Sequence, residues 1–457
     1  MEAKKYLNLR KKIAYGSGDM ASNFCYSFVS AFTMIYLTDT VGMNAGIIGM
    51  LIMLSRVFDG VSDVFAGNII DKTHHRLGKA RSWMLWTIIP VALVQILMFS
   101  IPNTDQIFQY AYFFVTYTLL NAVFYTLNNV AYATLSVFIT PNKQERVQLG
   151  VFRFIFTCLA GLLVSSATMS MVNAFGGGMT GWRRAAIVYS LGFAVICFIS
   201  AWVCKELPES ELAVAGMQEV PKENEQIGLL KTIKYLLKNK YYIYQLLINI
   251  IYNLLMTITS AVGIYYMTYI LGDDTLLGLF SLVQMIPMII GLALTPMLEK
   301  RWGIYRTNLS GFALTTIACV PFLIFGIKGM VVPMMVSHAI AWFGRGPYSG
   351  NVQALTAEIS AYTLRKDKVH VEGAMFSCSS MGVKVGAGIG NALTGWLLEA
   401  SHYNGTAAVQ PESALSMITA MYVVLPLIFS AVTLILLALQ KVEKANKEWD
   451  EKILKKA

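Results

Sequence analysis

Runs of about 20 predominantly apolar residues alternate along this chain with short polar connections, and a run of that length crosses a bilayer as one helix. The runs fall near 13–38, 44–70, 83–101, 108–138, 149–172, 184–204, 243–271, 275–298, 306–326, 329–361, 372–400 and 414–440. The pattern predicts an all-α polytopic membrane protein with about twelve transmembrane helices. Composition agrees: 56% of residues are hydrophobic, only 14% are charged and the mean hydropathy is +0.56, which is too apolar for a soluble chain of 457 residues. The first apolar run is too long for a cleaved signal peptide, lacks a small-residue cleavage site and contains Asp19.

The polar connections carry the basic excess of 36 Lys+Arg over 26 Asp+Glu. KKYLNLRKK (4–12), DKTHHRLGKAR (71–81), PNKQER (141–146), KTIKYLLKNK (231–240), EKRWGIYR (299–306), RKDK (365–368) and the C-terminal tail fall at alternate connections. That is the distribution expected of cytoplasmic loops rather than of a nucleic-acid surface, and it places both termini in the cytoplasm. A weak repeat organises the chain further: NIIDKTHHRLGKAR (68–81) after the second span and PMLEKRWGIYR (296–306) after the eighth share an acid, a Lys, an Arg-x-Gly and a further base. Two six-helix halves are expected, 1–204 and 243–440, as in parallel-repeat transporters. A central cytoplasmic loop, 205–242, joins them, and a cytoplasmic tail, 441–457, follows.

Charges inside the apolar runs change the picture most, because each costs roughly 2.5–3.5 kcal/mol at a helix centre. They are Asp19, Arg56, Asp59, Asp63, Arg153, Arg345, Glu358 and Lys384. Arg56, Asp59 and Asp63 lie at i, i+3 and i+7 and so share a helix face. One reading makes them a structural ion pair with Arg56 or Lys384. The other makes the two carboxylates a site for a proton or small metal ion that alternates with a mobile lysine. Arg345 is divided between a cavity-facing and a structural role. His338 reads as a buried packing histidine, and His74 and His75 as solvated. Trp83, Trp182, Trp302 and Trp396, near span ends, read as an interfacial belt. The six cysteines have no metal or redox spacing and read as packing thiols. GAGIGNALTG (386–395) follows no strand, so its small residues point to close helix packing rather than nucleotide binding. No nucleophile and base set, metal cluster or soluble catalytic domain is evident, which argues against a membrane enzyme or receptor.

Several segments together resemble one family. YGSGDMASNF (15–24), YLTDTVG (36–42), SRVFDGVSDVFAGNIID (55–71), LGKARSW (77–83), YTLNNVAYATL (125–135), ERVQLGVFRF (145–154) and VHVEGAMFSCSSMGVKVGAGIG (369–390) are similar to the glycoside–pentoside–hexuronide:cation symporters of the major facilitator superfamily. The resemblance spans about residues 10–440, and its aspartate-pair segment looks most like bacterial glucuronide carriers; melibiose permease is more distant. It implies a major facilitator fold in the cytoplasmic membrane, a small-molecule glycoside as substrate and a coupling cation. It implies no other cofactor, and the protein is expected to act as a monomer. Asp59 and Asp63 match the cation site, where sodium is an alternative to the favoured proton. Asp19, Tyr125, Asn129, Arg153 and Lys384 are the expected substrate-site positions, Asn129 also belonging to the cation site. Asn129 stands where melibiose permease has a third acid, which favours proton coupling while an amide oxygen can still ligate sodium. AEISAYTLRKDK (357–368) keeps Glu358 and Tyr362 but has Ala361 and Leu364 where the family's motif is more acidic. The resemblance favours a β-glucuronide as substrate, with neutral xylosides, other pentosides or galactosides as the alternative.

Overall fold

In the computed structural model, which describes residues 6–140, 142–208, 236–367, 372–407 and 409–454, every regular element is helical. The greater part of the central loop and the end of the tail lie outside the described residues. By internal contacts the chain divides into two compact units: Met1–Asn224 with Thr275–Gly278 and His402–Gln410, and Glu225–Asp274 with Leu279–Ser401 and Pro411–Ala457.

The first unit holds α1 (Leu9–Ile35), α2 (Ala45–Asp71), α3 (Lys79–Met98), α4 (Gln106–Thr118), α5 (Thr126–Ile139), α6 (Lys143–Ala174) and α7 (Gly178–Val203). A wide π turn, Tyr36–Val41, extends α1, and another, Leu119–Tyr125, fuses α4 and α5 into one span. In the second unit α8 (Lys240–Tyr265) ends in a π turn, Tyr266–Leu271. Leu276–Ile327, labelled α9, is two helices in line, broken at Gly303 with φ of 80°. It is followed by α10 (Val331–Asp367), α11 (Glu372–Ala400), α12 (Glu412–Thr419), a π turn at Ala420–Val424, α13 (Leu425–Leu439) and α14 (Val442–Leu454). With fused and broken helices so counted, the described residues form six membrane-length helical segments in each half, and α14 is the tail helix. Among the described residues eight helical stretches satisfy length and hydropathy together, including Gly178–Val203 and Lys240–Leu271.

Side chains at the helix starts show why the chain breaks where it does. Asn8 accepts from the Lys11 amide at 2.9 Å, Asp105 from Phe108 at 3.1 Å and Asn239 from Tyr241 at 3.0 Å, each satisfying a donor the helix leaves open. Apolar side chains such as Val57, Phe65, Ile89 and Ile317 point outward, as they must when the solvent is hydrocarbon. Close approach is supplied by small residues, as GAGIGNALTG suggests: a Cβ at Gly386 would strike the Ile250 carbonyl of α8, and one at Gly390 would lie 2.9 Å from that of Leu254. Trp182 departs from the interfacial belt. It is buried against Phe28, Phe32, Tyr36 and Phe99, where its large ring fills the gap between α1, α3 and α7. The described cysteines, Cys25, Cys158, Cys197, Cys204 and Cys319, are free and buried.

The sequence repeat has a structural counterpart in each unit. Gly78, with φ of 109°, precedes α3, and the Glu206 carboxylate accepts from the amides of Lys79 at 2.9 Å, Ala80 at 2.9 Å and Arg81 at 2.8 Å. In the second unit Glu443 packs against Gly303 and accepts from the Tyr305 amide at 3.2 Å. Each unit thus closes its sixth span with a carboxylate on the positive end of its third, and any side chain at either glycine would collide with it. Glu358 has a related anchoring role, accepting at Oε2 from Asn446 of α14 at 2.7 Å. Glu206→Ala is expected to lower the unfolding free energy by about 1–3 kcal/mol, since three amides lose a charged acceptor, with Glu206→Gln less affected. Thermal unfolding in detergent measures this, and an unchanged midpoint for Glu206→Ala would contradict it.

Candidate functional site

Two charge clusters occupy the interior of the first unit. In the first, Arg153 of α6 donates to Asp19 of α1 from Nε at 2.7 Å and from Nη2 at 3.2 Å. This fork-on-fork arrangement is the strongest an arginine makes with a carboxylate. The guanidinium also lies over the Tyr132 ring at 4.9 Å, and Tyr132 stacks on Tyr15 at 4.7 Å. Each tyrosine donates to the other's backbone carbonyl, at 2.6 Å from Tyr132 and 3.1 Å from Tyr15, so the platform under Arg153 is fixed. Gly16 and Gly18 permit this approach: a Cβ at Gly18 would overlap the Tyr132 ring, and one at Gly16 would crowd Phe152. Asn23, one turn beyond Asp19, donates to the Asp19 carbonyl at 2.8 Å and to Thr157 at 3.3 Å.

The second cluster centres on Asp59 of α2, which is 7% exposed. Its Oδ2 lies 3.4 Å from Arg56 Nη1, and its Oδ1 is 2.9 Å from the Thr126 hydroxyl. Thr126 sits just after the π turn, and its hydroxyl is also 2.8 Å from the Asn121 carbonyl. Its single proton serves one of these two acceptors at a time. The widened turn therefore presents a switchable donor to the carboxylate, a use for which such turns are suited. Arg56 lies 5.8 Å from the Tyr26 ring centre, beside Tyr117, and Tyr26 stacks on Tyr125 at 6.1 Å. Tyr26 is on the same helix as Asp19, two turns along.

The first unit thus brings together Asp19 with Arg153, and Asp59 with Arg56 and Thr126, with Tyr125 stacked on Tyr26 beside the second pair. Asn129 is half-buried one turn along from Tyr125. Asp63 lies one turn beyond Asp59 on α2, but its side chain is outside the described residues. Lys384 is half-buried on α11 in the second unit. Thr126, Tyr132, Tyr15 and Tyr26 were not foreseen. Thr126, Tyr132 and Tyr15 lie inside quoted motifs and Tyr26 just beyond one, but hydroxyl side chains in an apolar helix read as packing until their partners are known. Among the described residues no group of three or more His, Cys, Asp and Glu side chains forms a metal cluster. What the two clusters can do is donate and accept hydrogen bonds in a water-poor interior and exchange a carboxylate's partner. They supply no nucleophile with its base.

A helical chain with these buried charge pairs and a duplicated six-span plan is a multi-pass membrane transporter of the major facilitator type. The family model for MFS/sugar transport proteins matches residues 14–444, and the chain belongs to that family. It is 31% identical over 439 residues to the isoprimeverose transporter of Lactiplantibacillus pentosus, covering 95% of this chain and 89% of that protein. It is 28% identical over 418 residues to the glucuronide carrier protein homolog of Escherichia coli (strain K12), covering 89% and 87%. The solved nucleoside transporter NupG superposes with a TM-score of 0.60 at 12% identity, over 94% of this chain and 98% of that one, which establishes the fold alone. A match to the putative glycoside/cation symporter YagG of Escherichia coli (strain K12), 26% identical over 445 residues and covering 97% of this chain and 94% of that protein, supports cation-coupled glycoside symport as the activity.

Arg153→Lys retains the charge but cannot form the fork with Asp19, so sugar affinity is expected to fall at least about tenfold, or about 1.4 kcal/mol. Thr126→Val should leave sugar affinity within about twofold, because Thr126 contacts the other cluster. Equilibrium binding of labelled sugar to purified protein measures both. A loss in Thr126→Val as large as that in Arg153→Lys would contradict the separation of the clusters.

Proposed function

We propose that the protein imports a neutral, pentose-containing glycoside together with a proton across the cytoplasmic membrane. The observation that carries this reading is the bidentate Asp19–Arg153 pair. Once Arg153 is neutralised by Asp19 it offers no net charge to a hexuronate, whereas the pair as a whole offers a donor and an acceptor to vicinal sugar hydroxyls. Tyr125 and the tyrosine platform supply the apolar face that a sugar ring requires. The similarity to an isoprimeverose transporter supports a xylose-containing substrate. A β-glucuronide is the second reading, favoured by the similarity to a glucuronide carrier homolog and by Lys384 as a cation in the second unit.

Asp59 and Asp63 carry the coupling ion in this reading. Asp59 already has Arg56 and Thr126 as partners, and Asn129 adds no charge, so the set suits a proton better than a sodium ion. Protonation removes the carboxylate's hold on its partners, and transport follows by alternating access, with both termini cytoplasmic. The substrate leaves unchanged chemically, and the protein works as a monomer.

Uptake into proteoliposomes tests this with a labelled xylosyl-glucose, a β-glucuronide and a β-galactoside, under a proton or a sodium gradient. The xyloside should accumulate severalfold in response to an inwardly directed proton gradient. Glucuronide competing far better than xyloside would replace the first reading with the second. Response to sodium alone at constant pH would overturn proton coupling, and conversion without accumulation would overturn transport.

A further inference from the structure

Arg345 of α10 is 3% exposed and lies inside the second unit. The glycines on either side bring α10 into backbone contact with α9: a Cβ at Gly344 would strike the Gly311 carbonyl, and one at Gly346 would lie 2.7 Å from the Met288 carbonyl oxygen. So enclosed, the side chain cannot extend to the membrane surface as a lipid-facing arginine does. Its guanidinium lies 4.7 Å from the Trp342 ring centre and close to Cys319, whose Sγ is 3.9 Å from Ser430 Oγ. His338, stacked on Phe322 at 4.9 Å, completes the surroundings with Tyr252.

Arg153 and Arg56 in the first unit each have an aspartate. Arg345 has no carboxylate in ion-pair range among the described residues, and its Nε is buried without an acceptor. An arginine brings five N–H donors and no acceptor. The cation–π contact with Trp342, of order 0.5–2 kcal/mol, moderates the charge but satisfies none of those donors in the guanidinium plane. The Cys319 thiol beside it, and the Ser430 hydroxyl 3.9 Å from that thiol, can each donate. Among the described residues the surroundings are thus neutral hydroxyl, thiol and imidazole groups, with no anionic acceptor for the buried charge.

We propose that the second unit binds a small inorganic anion of the size of chloride at Arg345, with Cys319 and Ser430 as auxiliary donors. A monatomic anion accepts from any direction and needs little room between packed helices, whereas a sugar carboxylate would bring a ring with it. The site is independent of the sugar and proton assignments made for the first unit.

The test is thermal unfolding of the purified full-length protein without sugar, with sodium gluconate replaced stepwise by sodium chloride or bromide at constant ionic strength. The expected result is a saturating rise in melting temperature with halide, absent in Arg345→Met and moved severalfold to higher halide in Ser430→Ala. A flat response of the unaltered protein overturns the proposal, as does an unsaturated rise equally present in Arg345→Met. If Arg345→Met fails to fold, Ser430→Ala and Cys319→Ala decide, and an unmoved halide midpoint in both overturns it. Stabilisation by glucuronate but not by halide would overturn it in favour of a substrate anion.

Discussion

Arg153 and Asp19 meet at 2.7 Å although 134 residues separate them, and much of the first unit is arranged around that meeting. A charged group in a hydrocarbon-bounded interior is tolerated only when its partner is close and its remaining hydrogen bonds are met. This requirement sets the spacing of α1 and α6, calls for glycine at positions 16 and 18, and places the Tyr15–Tyr132 platform beneath the guanidinium. Arg56 and Asp59 obey the same rule with Thr126 as third member. In the proposed cycle the rule also supplies the energetics. A carboxylate gives up its partner only to something that replaces it, a sugar hydroxyl in one cluster and a proton in the other, so binding and conformational change become linked.

Outside the charge clusters the architecture repeats a single solution. The carboxylates of Glu206 and Glu443 each close a six-span unit on the amides that follow a positive-φ glycine. Each acid meets a helix start, whose first amides are open donors with no partner inside the helix. The polar loop that an apolar span needs in order to end is turned into a fixed joint.

Hydropathy made the helical spans legible because the membrane admits few alternatives to a helix of that length. Asp19, Arg56, Asp59 and Arg153 were legible for the same reason: a charge in an apolar run is costly, so it stands out. Their pairing was not. Periodicity placed Arg56 and Asp59 on one face, but nothing local joins residue 19 to residue 153; the family resemblance alone linked them to one site. Thr126, Tyr15 and Tyr132 cost little in a helix and therefore carry no signal of their own, yet they orient the charges. Trp182 lies near a span end by position but is buried by tertiary packing, a distinction that sequence position alone does not make. The substrate is the least legible feature, since hydroxyl, amide and tyrosine side chains serve many sugars.

The central claim is that sugar recognition and ion coupling reside in separate charge clusters of the first unit. Comparison of sugar counterflow with gradient-driven uptake in the same Asp59→Asn proteoliposomes tests it most directly. Counterflow requires sugar binding and reorientation but no net work, whereas accumulation requires the ion. The account predicts that Asp59→Asn retains counterflow within a fewfold of the unaltered protein and loses accumulation. Accumulation that persists in Asp59→Asn, or the loss of both activities together with sugar binding, would contradict it.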